Sequence, residues 1–132
     1  MFKLTIITPN GTYLDKDVTS LTLKLLSGYR TILTGHTPLI GALDYAPMYT
    51  MTNSDKDIYS LSGGAINIKD DGSVVIITNA IESQKDIDIA RAESAKKRAE
   101  SRLNGPRDDV DIERAMLALK RSIARIKTYE MK

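Results

Sequence analysis

Near Ile81 the hydrophobic period of the chain changes from two to about 3.6 residues, and no other feature of the 132 residues restricts the fold as strongly. Upstream, β-branched and apolar residues alternate with polar ones in short runs. Downstream, alanine becomes common and apolar positions recur three and four residues apart. The change predicts two units, a β domain over residues 1–84 and a helical domain over residues 85–132.

The β half is punctuated by turn residues. Phe2 to Thr8 and Val18 to Leu26 read as strands, with Leu21, Leu23 and Leu25 on one side and Thr22 and Lys24 on the other. Pro9-Asn10-Gly11 between them is a turn signal. Ser27 to Leu43 carries three glycines and Pro38, so it reads mainly as loop, with short extended pieces at Ile32-Leu33 and Leu39-Ile40. Met48–Thr52 and Asp57–Ser62 flank a turn and predict a hairpin, which Gly63-Gly64 then breaks. Ala65–Lys69 and Ser73–Thr78 predict a last hairpin, and the unbroken Val74-Val75-Ile76-Ile77 reads as a strand buried on both faces. Short strands at this spacing predict a sandwich or barrel.

In the helical half, Asp86 or Asp88 caps a first helix that runs to about Leu103, with Ala92, Ala95, Ala99 and Leu103 on one narrow face. Small alanines let a partner helix come close. Beside them, Asp88, Arg91, Arg98 and Arg102 form a stripe, which reads either as a solvated basic face or as an anion site. Asn104-Gly105-Pro106 stops the helix, with Gly105 suited to a left-handed cap. Asp108, Asp109 and Asp111 then open a second helix whose far half gathers Lys120, Arg121, Arg125 and Lys127, both in the sense the helix dipole favours. Its apolar seam is predicted at Ile112, Met116, Leu119, Ile123 and Ile126. A helical pair of this size needs the β domain or another protein to cover it, so two docked positions are open to it.

Composition removes several function classes. There is no cysteine, hence no disulfide, thiol nucleophile or cysteine zinc site. The net charge of +2 is nearly balanced, and a single Phe without Trp offers little to single-stranded nucleic acid, so the basic helices are a weak nucleic-acid candidate. The positive bias is local: residues 91–107 carry Arg91, Lys96, Lys97, Arg98, Arg102 and Arg107 against Glu93 and Glu100. No phosphate-binding loop of nucleotide hydrolases occurs, His36 is patterned with no nucleophile, and Asp70-Asp71-Gly72 lacks further acidic ligands for calcium. No catalytic residue and no metal ligand is therefore assigned. The opening MFKLTIITPNG is too short and interrupted for a signal peptide, and no run reaches the length of a membrane span.

Strands followed by a two-helix hairpin resemble, over the whole chain, the epsilon subunit of the bacterial F-type ATP synthase. Ile87-Asp88-Ile89-Ala90-Arg91-Ala92 matches that family's I/L-D-x-x-R-A motif for ATP, and Ser62-Gly63-Gly64 and Ile32-Leu33 with Gly35-His36 and Pro38 match its β domain. Ala118-Leu119-Lys120-Arg121, Arg125 and Glu130-Met131-Lys132 look like its second helix. The family's loop G-x-x-G-I-L-P-G-H is altered, with Thr31 for the second glycine and Thr34 for the proline. The resemblance implies an N-terminal β-sandwich and a C-terminal antiparallel helical hairpin. It implies a non-catalytic coupling and regulatory role in a rotary proton-translocating enzyme, peripheral at the cytoplasmic face of the cell membrane. The implied partners are the gamma subunit, the membrane c-ring and, through the extended hairpin, the catalytic beta and alpha subunits. No cofactor is required; ATP is implied as a regulatory ligand, with contacts falling on Glu82, Asp88, Arg91, Ala92, Arg98, Arg121 and Arg125. The alternative from the residues alone is a free-standing small-molecule-binding β-sandwich protein or enzyme.

Overall fold

A computed structural model of the chain describes residues 1–105 and 109–132. Eight strands come first: β1 (Phe2–Thr8), β2 (Gly11–Val18), β3 (Ser20–Leu25), β4 (Gly28–Leu33), β5 (Leu39–Thr52), β6 (Asp55–Ile68), β7 (Val74–Ile77) and β8 (Ile81–Ser83). A 3-10 turn, Gln84–Asp86, leads to helix α1 (Ile89–Asn104), followed by α2 (Asp109–Glu130). The hydrogen-bonded order is β2-β1-β7-β6-β5-β3-β4, with β8 added on β6. All pairings are antiparallel except β1 with β7.

This ladder closes on itself as a sandwich. Phe2, Leu4 and Ile6 of β1 share one buried cluster with Leu21 and Leu23 of β3, although three strands separate the two in the sheet order. The Tyr13 ring of β2 meets Tyr59 of β6 edge-on at 6.2 Å, and Lys16 Nζ lies 3.0 Å from Asp57 Oδ2, again across the two layers. The long β5–β6 hairpin serves both layers, and its middle carries the features a bend requires. Pro47 offers no N–H to β3, whose register against β5 shifts between Thr22 and Leu25. Opposite, Gly63 and Gly64 have φ of 72° and 118°, and a Cβ on Gly64 would lie 2.0 Å from the Ile77 carbonyl oxygen.

Several sequence expectations change here. Gly63-Gly64 does not break the strand but bends it within β6. The segment Ser27–Leu43 is mostly extended, as β4 and the start of β5. Gly11–Val18 is a strand of its own, on an edge where only Val18 is fully buried. Val74 and Ile76 are buried on one face of β7, whereas Ile77 is 57% exposed, so that strand is not covered on both sides.

Of the two candidate caps, Asp88 closes α1: its Oδ1 accepts from the Arg91 backbone N–H at 3.1 Å. Gly105 ends α1 in an extended conformation (φ −96°), not the left-handed one expected of it. The expectations at Pro106, Arg107, Asp108 and the Asp109 side chain fall outside the described residues. Ala92 and Ala99 are buried, and the short link to α2 imposes an antiparallel hairpin. The predicted α2 seam is corrected. Met116 is 48% exposed and Ile112, Leu119, Ile123 and Ile126 are only half-buried, while Ala115, Ser122, Ala124 and Thr128 are buried. Two of those are polar, and each is satisfied within the helix: Ser122 Oγ donates to the Ala118 carbonyl at 2.6 Å and Thr128 Oγ1 to that of Ala124 at 2.7 Å. The side chains fully buried on both helices are thus small ones, and Ala95, Ala99, Ala115 and Ala118 line one groove together. α2 is the helix that lies against β5 and β6.

Candidate functional site

The docking of α2 on the sandwich leaves a cleft of about 260 Å³ lined by Ser60 and Ser62 of β6, Ala80, Ile81 and Glu82 next to them, and Arg121 and Arg125 of α2. Each wall has a local cause. β8 pairs antiparallel with β6 so that Glu82 stands opposite Ser60, and residues directly opposite in a ladder project to the same face. Hydrogen bonds hold the short β8 there. Ser62 N–H donates to the Ala80 carbonyl at 3.0 Å, and Thr78 Oγ1 donates to the Gly63 carbonyl at 2.6 Å. On the other wall, Arg121 and Arg125 stand one helical turn apart and share a face.

Across the cleft Arg125 Nε donates to Glu82 Oε1 at 2.8 Å. Their side chains are 21% and 33% exposed, so the pair is partly desolvated and contributes about 1 kcal/mol. Arg121 has no carboxylate partner among the described residues. The cleft therefore carries two guanidiniums against one carboxylate, a net positive charge suited to an anion, with serine hydroxyls at its floor. Acid density extends beyond it. Tyr13 has its phenol pushed up by burial first and then by the Asp86 and Glu82 carboxylates. Tyr59 is pushed up to about 12 by burial, with Asp57 and Tyr13 adding to it.

The seven residues named from the sequence do not converge on one place. Glu82, Arg121 and Arg125 meet in the cleft. Arg91 and Arg98 lie apart, lining a groove of about 520 Å³ on α1 with Ala90 and Ser94. Arg98 also borders, with Arg102, the groove over Ala95, Ala99, Ala115 and Ala118 where the helices meet. Asp88 is occupied as the α1 cap, and Ala92 is buried with no exposed surface. Three residues were missed. Ser60 and Ser62 could have been found as polar residues at alternate positions inside an apolar run. Gln84, whose Nε2 reaches the carbonyls of Thr128 at 2.9 Å and Met131 at 2.6 Å, gives no local signal.

Elsewhere the polar clusters serve the fold. His36 Nδ1 lies 2.7 Å from the Thr37 carbonyl oxygen in its own loop. Asp71 Oδ1 accepts from Ser73 N–H at 2.9 Å and Ser73 Oγ at 2.6 Å, which holds its carboxyl below the usual range and closes the turn before β7. Among the described residues no group of histidines and carboxylates is placed to hold a metal ion, and no helix is long and apolar enough to cross a membrane.

Comparison with known proteins places these features in a family. Residues 1–84 match the model of the ATP synthase delta/epsilon chain β-sandwich domain, and residues 85–130 that of its long α-helix domain. Similar curated proteins include the ATP synthase epsilon chain of Ruminococcus albus, 33% identical over 132 residues and covering 100% of this chain and 98% of that one. That of Bacillus cereus strain G9842 is 37% identical over 131 residues, 99% of this chain and 98% of its own. The fold is similar to a chain in the Euglena gracilis mitochondrial ATP synthase OSCP/F1/c-ring structure, with a TM-score of 0.84 at 23% identity over 93% of this chain and 78% of that one. It is similar also to a chain of the Tetrahymena thermophila mitochondrial ATP synthase central stalk and c-ring, with a TM-score of 0.72 at 16% identity over 97% and 96% of the two chains. Family models that cover the sandwich and the hairpin in turn, with bacterial relatives matching end to end, establish that the chain belongs to the epsilon chains of the bacterial F-type ATP synthase family.

Proposed function

We propose that this chain is the non-catalytic coupling and regulatory subunit of a rotary proton-translocating ATP synthase. In this reading the sandwich grips the gamma subunit and the membrane c-ring at the cytoplasmic face of the membrane. The hairpin alternates between the docked position described above and an extended one along gamma, where it meets the catalytic beta and alpha subunits and blocks ATP hydrolysis. ATP acts as a regulatory ligand that is bound and not hydrolysed, favouring the docked position.

The observation that carries this reading is the composition of the docking interface. The fully buried side chains of α2 are small ones, its large apolar residues are half-buried or exposed, and a polar cleft lies where it meets the sandwich, a composition that supports a separable hairpin. The same docking supplies the positive cleft of Arg121 and Arg125 against Glu82. A polyphosphate there would convert guanidinium crowding into charge-assisted hydrogen bonds of about 1.5–3 kcal/mol each, partly offset by desolvation, for an affinity between roughly micromolar and millimolar. Because only the docked hairpin carries both walls, such a ligand stabilises that position.

The test uses the assembled enzyme. Since the chain has no native cysteine, a single pair can be introduced, one on α2 and one on β5, to tie the hairpin to the sandwich. Oxidation should relieve inhibition of ATP hydrolysis, and reduction should restore it. Hydrolysis that does not change after a verified cross-link removes the mobile hairpin from the function.

A further inference from the structure

Polar contacts from Gln84 and from Lys56 of β6 converge on the last turn of α2 and the two residues that follow it. Gln84 Nε2 donates to both the Thr128 and Met131 carbonyls, at 2.9 and 2.6 Å, and Lys56 Nζ donates to the Lys132 carbonyl at 3.2 Å. The Lys56 ammonium is itself held 4.2 Å over the Tyr49 ring. One turn back is the Arg125–Glu82 pair. The Thr128 carbonyl already accepts from the Met131 N–H at 3.3 Å, and Met131 and Lys132 follow the end of α2, so the amide of Gln84 and the ammonium of Lys56 add donors from the rest of the chain at the negative end of the helix dipole. Gln84 lies in the 3-10 turn that joins the two halves of the chain, two residues after Glu82. A donor at that point fixes how far α2 can slide along β6 and hence where Arg125 meets Glu82.

We propose that Gln84, assisted by Lys56, is a latch on the C-terminal end of α2 that sets the population of the docked hairpin and positions Arg121 and Arg125 in the cleft. The proposal rests on the reading that the hairpin leaves the sandwich, and it makes Gln84 a positioning residue that touches no ligand. The latch acts without ATP and without gamma, because every contact in it lies within this chain. It also accounts for the order of release: the end of α2 must come free before the arginines can leave Glu82, while α1 contributes nothing to the latch.

The experiment measures hairpin position in the isolated full-length chain. Lys97→Cys on α1 and Asp70→Cys in the sandwich, both exposed, carry a fluorescent donor and acceptor in a chain otherwise free of cysteine. Gln84→Ala should raise the undocked-to-docked ratio about tenfold, from two lost hydrogen bonds to a helix terminus. Gln84→Glu, the same shape without a donor and with negative charge against the negative helix end, should raise it further. Lys56→Met, at the exposed start of β6, should shift it in the same direction by less. Lys85→Ala, next to Gln84 and exposed, should leave it unchanged. Amide exchange in β1 and β7 verifies that the sandwich is intact. Unchanged energy transfer in both Gln84 variants overturns the latch, as does faster exchange confined to residues 128–131, since that would mean a frayed helix end on a hairpin still docked. Because neither ATP nor gamma is present, either result would leave the ligand and inhibition readings standing on their own tests.

Discussion

Ala99 and Met116 offer opposite accounts of what holds the helices together, and substituting each decides between them. Ala99 is 3% exposed on α1 and faces a groove shared with Ala115, itself 2% exposed. Replacing Ala99 by Leu adds three carbons where alanine faces meet, and such overpacking costs about 1–3 kcal/mol through helix displacement. That is a five- to roughly 150-fold gain in hairpin opening. Met116 is 48% exposed, so truncating it to Ala forfeits about half of the 1.5–3 kcal/mol that full burial would contribute, and leaves no sealed cavity. A loss of about 0.8–1.5 kcal/mol follows. Had Met116 lain in the central seam of an ordinary coiled coil, the same truncation would cost about 2–5 kcal/mol. Native-state hydrogen exchange reads both, with the sandwich amides as internal reference. Faster exchange in α1 and α2 of Ala99→Leu and near-normal exchange in Met116→Ala is the expected result. A neutral Ala99→Leu with a severe Met116→Ala would refute the small-residue interface.

Gly64→Ala should destabilise the sandwich, because φ of 118° and a carbonyl oxygen 2.0 Å from the new Cβ together cost upwards of about 3 kcal/mol; the midpoint of thermal unfolding should fall by roughly 10 °C or more. Tyr59 binds its proton more tightly folded than unfolded, its phenol standing at about 12 against an ordinary value near 10. Its contribution is therefore complete below pH 10 and lost as pH rises toward 12; denaturant titrations across that window should show the loss, and Tyr59→Phe should flatten it. Residues 1–84 expressed alone should give a folded β spectrum, since one buried cluster is complete within them, whereas residues 85–132 alone should be largely unstructured. A disordered sandwich fragment or a stable isolated hairpin would contradict that division.

The sequence makes the architecture legible because the change of period near Ile81 is a property of local residues, and Asp88, Ala92 and Ala99 behave as their spacing indicates. What escapes it is decided between elements. β2 is an edge strand with Asp15, Lys16 and Asp17 in its second half, so no apolar alternation announces it. The α2 seam misleads because isoleucine, methionine and leucine dominate a hydrophobic pattern, whereas close packing selects Ala115 and Ala124 and lets Ser122 and Thr128 hide their hydroxyls on the helix's own carbonyls. Glycines at 63 and 64 look like a stop but make a bend, since their neighbours on both sides continue the same ladder. For the site, residue types identify the arginines, but only the pairing of β8 with β6 brings Glu82 opposite Arg125. Gln84 acts on carbonyls 44 and 47 residues away, a relation no local pattern contains.

The central claim is that docking of α2 builds an anion site that ATP occupies. ATP titrated into the isolated full-length chain, followed by amide shifts at residues 80–84 and 121–125, tests it directly. The account predicts saturable shifts in these two segments between roughly micromolar and millimolar ATP, abolished in Arg121→Ala and Arg125→Ala, with ATP unhydrolysed. Shifts that fail to saturate at millimolar ATP, or that persist unaltered in both variants, would contradict it.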